Sequence, residues 1–348
     1  MQTIKHFEGA RRATGPQDRV ENVRAAAQDF RKAMLAGPKV RYYESFDLVQ
    51  VPYPSYYGLR HAFRYEHVLP YLSICNRLFV CQFDTAQGLK TLLISPSDYE
   101  FNRETPFFKR LSDNNPKWLE RFILKRHSTV EQVLSRIGLK PEDIDFITYD
   151  HLHTQHVRRW LGTADTAGLL PNAKLIVHRQ EWESALRLTP IQYDWYCPDG
   201  IKGIPDDRVI FVDGDVMLGD GVAMIHTPGH TEGNHSMVVH TNEGLWVTSE
   251  NGVTVDAYAP KISRIAGLSA YSRANGSEVI LNGNTLENSI DQYISMVQEL
   301  TIAGPSVRNA DFPNIFPSSE LTPFWLAPGV RSSHRVGHAL HGALVKPG

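Results

Sequence analysis

The sequence predicts an α+β protein whose β-sheets are covered by helices on their outer faces. Three observations lead there. Residues 41–52, 72–83 and 89–95 are strand-like runs that follow one another without an intervening helix. From residue 129 onward, short strand-like and helix-like segments alternate. Several of the apolar runs then stop at loops rich in Gly, Pro, Asp and His, where a rigid sheet presents functional side chains.

Element by element, residues 18–35 place Val20, Val23, Ala27, Phe30 and Met34 at helical spacing, and Gly37-Pro38 ends that helix. We read residues 1–40 as a helical extension, 41–325 as the main domain and 326–348 as a C-terminal tail. Residues 98–125 are aromatic, charged and irregular, and partly helical at most. An amphipathic helix over 129–137 closes at Gly138, and a strand follows over 146–149. A strand over 174–178 leads to a helix over 180–188. Short strands are expected over 208–212, 217–218 and 223–227, then a hairpin of 236–240 with 244–249. The last long helix runs from Glu287 to Ala303.

Composition excludes several classes. With 36 Lys+Arg against 38 Asp+Glu the chain carries −2, too little positive charge for a nucleic-acid binder. No apolar run approaches the roughly 20 residues that span a bilayer, and residues 1–20 lack the apolar core of a secretory signal. Cys75, Cys81 and Cys197 show no ligand spacing and read as buried reduced thiols, which makes the cytoplasm the expected location.

The chemistry is concentrated in His151-Leu152-His153-Thr154-Gln155-His156, three imidazoles within six residues at the end of a strand. Imidazole is the commonest neutral ligand of divalent transition metals. A second element, Thr227-Pro228-Gly229-His230-Thr231-Glu232-Gly233, ends another strand in a Pro-Gly turn that presents His230. In a third, Trp246-Val247-Thr248-Ser249-Glu250, a strand ends in a carboxylate.

In this order the elements resemble the metallo-β-lactamase-fold hydrolase superfamily over roughly residues 40–320. The resemblance implies an αββα sandwich of two mixed sheets with outer helices, and metals at one edge. It assigns His151, His153 and His230 to one side of a metal site and His156 to the other. Glu250 then stands where a bridging aspartate is usual, and Gln155 where the second side has an aspartate. A neutral amide there removes a full charge, so a second ion is expected to bind weakly. The terminal histidine ligand has no counterpart in residues 314–320; His334, His338 and His341 follow later. Zinc is the expected ion, one held firmly and a second less so, with manganese or iron open on ligand type alone.

Asp150 is expected to orient an imidazole or cap the loop, His235 to support the His230 turn, and His178 to pack and start a helix. Tyr193, Trp195 and Tyr196 are read as pocket-shaping, and Arg103, Phe107, Phe108 and Trp118 as parts of a lid. The leading function is metal-dependent hydrolysis of a small ester, lactone, thioester or activated aryl ether. Glu250 would orient or deprotonate the attacking water, and Gln155 would hydrogen-bond it or the substrate. An iron-dependent oxidoreductase or a non-catalytic subunit with half a site are the alternatives. The charged surface and the helical extension permit a homo-oligomer or a partner subunit.

Overall fold

The computed structural model describes residues 1–283 and 288–346. In chain order its first strands are Gln2–Thr3 (β1), Tyr42–Pro54 (β2), Tyr71–Thr85 (β3), Gly88–Ile94 (β4), Lys125–Arg126 (β5), Phe146–Thr148 (β6) and Lys174–His178 (β7). Val209–Val212 (β8), Val216–Gly219 (β9), Val222–His226 (β10), His235–Thr241 (β11) and Gly244–Ser249 (β12) follow. Ile315–Pro317 (β13), Ser319–Thr322 (β14) and Leu340–Gly342 (β15) close the series.

They build two mixed sheets. One has the order β1-β9-β10-β11-β12-β13, antiparallel except for the parallel pair β12·β13. The other runs β15-β2-β3-β4-β6-β7-β8, with β14 and β5 attached to β3 and β2. Its β4, β6, β7 and β8 are mutually parallel.

Side-chain alternation sorts the apolar residues into layers. Phe79, Cys81 and Phe83 of β3, Met224 of β10, Met237 and Val239 of β11 and Trp246 of β12 share one core between the sheets. Their sequence neighbours Leu78, Val80, Ile225, Val238, Leu245 and Val247 belong to a second cluster. Because both faces of these strands are buried, the runs are apolar throughout instead of alternating with polar residues. The helix Pro16–Ala36 starts with Pro16 and Asp18 in its first turn, both favoured there. Its Val20 and Val23 pack on Ile294 and Val297 of the helix Ser289–Ala303.

The result is the two-sheet α+β sandwich with helices outside. Residues 1–40, read as an extension, also lend β1 to the edge of a sheet, where Gln2 pairs with Met217. The tail lends β15, where Leu340 pairs with Glu44. The irregular segment resolves into three short helices, Tyr99–Asn102, Pro106–Asp113 and Lys117–Ile123. Glu287, the expected start of the long helix, lies outside the described residues. No helix among the described residues is long and apolar enough to cross a membrane.

Candidate metal centre

β6 lies between two parallel neighbours, and the chain leaves its end through Asp150 into the histidine loop. Thr154 takes a left-handed φ of 63° there, and its N–H donates to the Trp195 carbonyl at 2.7 Å. β10 ends in the turn that carries His230. Gly229 has φ 136°, and a Cβ on it would stand 2.2 Å from Cα of Gln292, so no other residue fits.

These two loops bring His151, His153 and His230 together. Their ring centroids are 4.8 Å (151–153), 4.4 Å (151–230) and 5.3 Å (153–230) apart, and one ligand nitrogen of each lies within 4.8 Å of the others. Nδ1 of His151, Nδ1 of His153 and both ring nitrogens of His230 are buried without a hydrogen-bond partner. Burial holds all three rings neutral: His151 and His153 fall well below the usual range, and His230 is pushed down to about 3. Neutral imidazoles with unused nitrogen atoms, converging on one point, are the form that ligates a divalent cation. The residues present fit such an ion.

Buried polar groups hold the two loops in place. Glu181, at 0% exposure, accepts from Leu152 N–H at 2.7 Å with one oxygen and from Thr231 Oγ1 at 2.5 Å with the other. Glu299 accepts from Asn251 Nδ2 at 2.6 Å, while Asn251 Oδ1 takes the His230 N–H at 3.3 Å. Ser295 Oγ donates to the Pro228 carbonyl at 2.6 Å. Sequence reasoning missed Glu181, Asn251 and Glu299. The one available signal was the Glu181-Trp182 pair after β7, three residues beyond His178. His178 does start a helix, its Nδ1 accepting from Gln180 N–H at 3.3 Å, and it stacks on His226 at 4.0 Å. His235 sits beneath the loops with Nε2 3.1 Å from Thr148 Oγ1.

The other side of the site is arranged differently. Gln155 turns its amide oxygen to Ser97 Oγ (3.0 Å) and Asn102 Nδ2 (3.3 Å). Asn102 is oriented by the His156 N–H, which donates to its Oδ1 at 3.2 Å. The His156 ring lies against Phe101 at 5.1 Å, outside the three-histidine cluster. Glu250 lines the same cavity as the cluster but is not part of it. Burial, followed by the nearby Asp150, raises its proton affinity well above the carboxylate range, which hydrogen bonds from Ser319 oppose. Asp150 is likewise buried and pushed up to about 7; it accepts from Ser318 Oγ and, through its carbonyl, from His235 N–H.

Ser318 follows the parallel pair Ser249↔Pro317, so a serine stands level with Glu250, where the resemblance implies a terminal ligand. His334 stacks on Phe312 at 5.4 Å, and Nε2 of His338 lies 2.8 Å from Glu44. The ring of His341 contacts the Val40 carbonyl at 3.1 Å. None of these three lines the cavity.

The cavity, of ≈ 70 Å³, is walled by Tyr53, Phe108 and Trp195 beside the histidines and Gln155. Trp195 stacks on Phe107 at 4.7 Å. Tyr196 packs edge-on against His153 at 4.7 Å and reaches Glu181. Tyr193 and Tyr196 line a neighbouring cleft that shares Gln155. Arg103 pairs with Glu100 and Glu120, and Trp118 is exposed.

Two mixed sheets face to face, outer helices and a histidine-rich centre on the loops at one edge define a metallo-β-lactamase-fold protein. Among solved structures, the dizinc quorum-quenching lactonase AidC superposes with a TM-score of 0.52 at 14% identity, over 89% of this chain and 97% of that one. A probable metal-dependent hydrolase from Staphylococcus aureus gives 0.51 at 16% identity, over 73% and 83%. In sequence, the chain is 32% identical over 114 residues to an N-acyl homoserine lactonase of a Bacillus species, 33% of this chain and 40% of the relative. It is also 32% identical over 126 residues to the N-acyl homoserine lactonase of Bacillus cereus, 36% and 43%. The chain thus spans less than half the length of these curated relatives. No family model matches it.

Proposed function

We propose that this protein is a metal-dependent hydrolase that opens the ring of a small lactone. The observation that carries the reading is the convergence of three buried, neutral imidazoles with unpartnered nitrogens on one cavity. The naming of the sequence relatives as N-acyl homoserine lactonases supports a lactone over the thioester and aryl ether also considered.

His151, His153 and His230 would hold zinc, which suits three imidazoles and an open position. When bound, the ion supplies a Lewis acid that polarises a carbonyl and lowers the pKa of water. Glu250 faces the same cavity as the three histidines, which places its carboxylate to orient the attacking water and accept its proton. Gln155, its oxygen engaged by Ser97 and Asn102, offers the substrate its NH2. Trp195 and Phe108 form an apolar part of the cavity wall. On the His156 side an amide and a serine replace charged or imidazole ligands, so a second ion there, shared by His156 and Glu250, would be held weakly. Three unpaired buried cysteines agree with a reducing, cytoplasmic location.

The test compares the metal-replete protein with His151→Ala on N-hexanoyl homoserine lactone, following acid release in weakly buffered solution. The variant is expected to lose one equivalent of metal and at least about a thousandfold in rate. A folded variant with unchanged activity would discard the reading. Abundant iron with visible absorbance in anaerobically purified protein would replace hydrolysis with redox chemistry.

A further inference from the structure

Away from the three-histidine centre, a different set of ligating side chains meets on the larger sheet. Asp47 lies on β2, Cys75 on β3, and His127 directly follows β5. One ligand atom of each lies within 4.8 Å of the other two. Their backbones are fixed by the sheet. β2 shifts register between Asp47 and Val49 opposite β3, and such a bulge re-aims the side chains beside it. The Leu48 carbonyl at that bulge accepts both the His127 N–H at 2.8 Å and the Ser128 N–H at 3.2 Å.

The polar atoms around the cluster are incompletely used. Nε2 of His127 is buried without a hydrogen-bond partner. The Cys75 thiol, at 0% exposure, has one weak contact, 3.6 Å to the carbonyl of Asn76. Glu320 stands opposite Cys75 in the β14·β3 register and is also at 0% exposure. One of its oxygens binds Arg77, while Oε1 is buried and unpartnered. Buried polar atoms without partners are uncommon in folded proteins, and a missing ion is one explanation for a group of them.

Charge points the same way. Arg77 pairs with Asp47, Nε to Oδ1 at 3.2 Å, and with Glu320. With the thiol ionised, Asp47, Glu320 and Cys75 carry three negative charges against the one of Arg77, a surplus of two that a divalent cation balances. Arg335 acts on Cys75 and His127, and Lys125 on His127, both from exposed positions where water screens them. Burial raises the Cys75 thiol to about 12 in the absence of a cation, so binding would release its proton to solvent.

We propose that Asp47, Cys75 and His127 form a second metal site for a soft divalent cation of the zinc class. Sulfur and oxygen donors from two strands and a nitrogen donor from the residue after a third match the ligand types of structural zinc. Zinc bonds of about 2.0–2.3 Å place ligand atoms roughly 3.3–3.8 Å apart, so the side chains need to close by at most about 1–1.5 Å. The site would clamp β5, the return of the three-helix segment 99–123 to the sheet, onto β2 and β3. It is independent of the hydrolytic reading.

Cobalt(II) distinguishes this site from the first, because the three-histidine centre contains no sulfur. Metal-free full-length protein reloaded with cobalt is expected to show a thiolate-to-cobalt charge-transfer band in the near ultraviolet. Cys75→Ser should abolish that band and remove one equivalent of cobalt, while the visible bands of the histidine centre remain. His127→Gln, at a partly exposed position that tolerates change, should weaken cobalt binding to Cys75 about tenfold or more with the far-ultraviolet spectrum unchanged. The proposal is overturned if wild type shows no such band or if the band survives Cys75→Ser, which would assign it to Cys81 or Cys197. Unchanged affinity in folded His127→Gln also overturns it.

Discussion

Glu181 divides its carboxylate between the two loops that carry the histidines, one oxygen on Leu152 N–H and the other on Thr231 Oγ1. The contact is tight: a Cβ on Gly233 would lie 2.1 Å from the Glu181 nitrogen. Glu181→Gln keeps the shape but turns one acceptor into a donor facing another donor. It should cost about 2–4 kcal/mol of stability and about 10–100-fold in metal affinity at the histidine centre. Thermal unfolding and metal titration of the variant check both figures, and unchanged metal affinity would remove Glu181 from the positioning role. Apart from the Glu181-Trp182 pair, nothing local marks Glu181 as special. An acid in the first turn of a helix is ordinarily a solvated partner of the helix dipole. The histidines, by contrast, were legible because their spacing is rare and their turn chemistry specific.

At the scale of elements, the segment of three short helices sets the far wall of the cavity. Phe107 stacks on Trp195, and Phe108 lines the cavity itself. Arg110 bridges to Asp194 with two bonds of 2.7 and 2.6 Å, but both side chains are about half exposed, so the pair adds little stability. Phe107→Ala removes a stack of about 0.5–1.5 kcal/mol and frees Trp195. If the proposed lactonase activity holds, KM should rise several-fold with kcat changing less; steady-state kinetics separate the two. A loss confined to kcat would instead place Phe107 in the chemistry. Helices of four to eight residues lie below the length at which a helix is stable alone, so they exist through packing and left only a faint periodic signal. The long helices, the strand runs and the hairpin carried their own periodicity and stand close to where the sequence put them.

For the whole molecule, buried imidazoles contribute to how stability depends on pH. Burial, then the stacked His178, pushes His226 down to about 3, and His235 is also held well below the usual range. Unfolding lets these rings bind protons, so their contribution is full above 6.5 and is lost as pH falls from 6.5 toward 3. Asp215, pushed up to about 6 by burial, acts in the opposite sense: its contribution is full below 3.8 and is lost as pH rises through 6. The informative quantity is therefore the difference between wild type and His226→Phe, which keeps a ring on His178 and cannot titrate. The variant should lose less stability than wild type between pH 7 and pH 5 in urea unfolding. Equal losses would show that His226 takes up no proton on unfolding.

By itself the sequence determined the class of fold, the order of its long elements and the three imidazoles of the candidate metal centre. Those features are written in local periodicity, turn chemistry and ligand spacing, which act over a few residues. Only the tertiary structure decided how the site is completed. Parallel pairing of β12 with β13 sets Ser318 level with Glu250, and Ser97 and Asn102 engage the Gln155 amide oxygen. It also joined Asp47, Cys75 and His127 from three separated segments. Such contacts depend on sheet register and on partners far along the chain, and no local pattern encodes them.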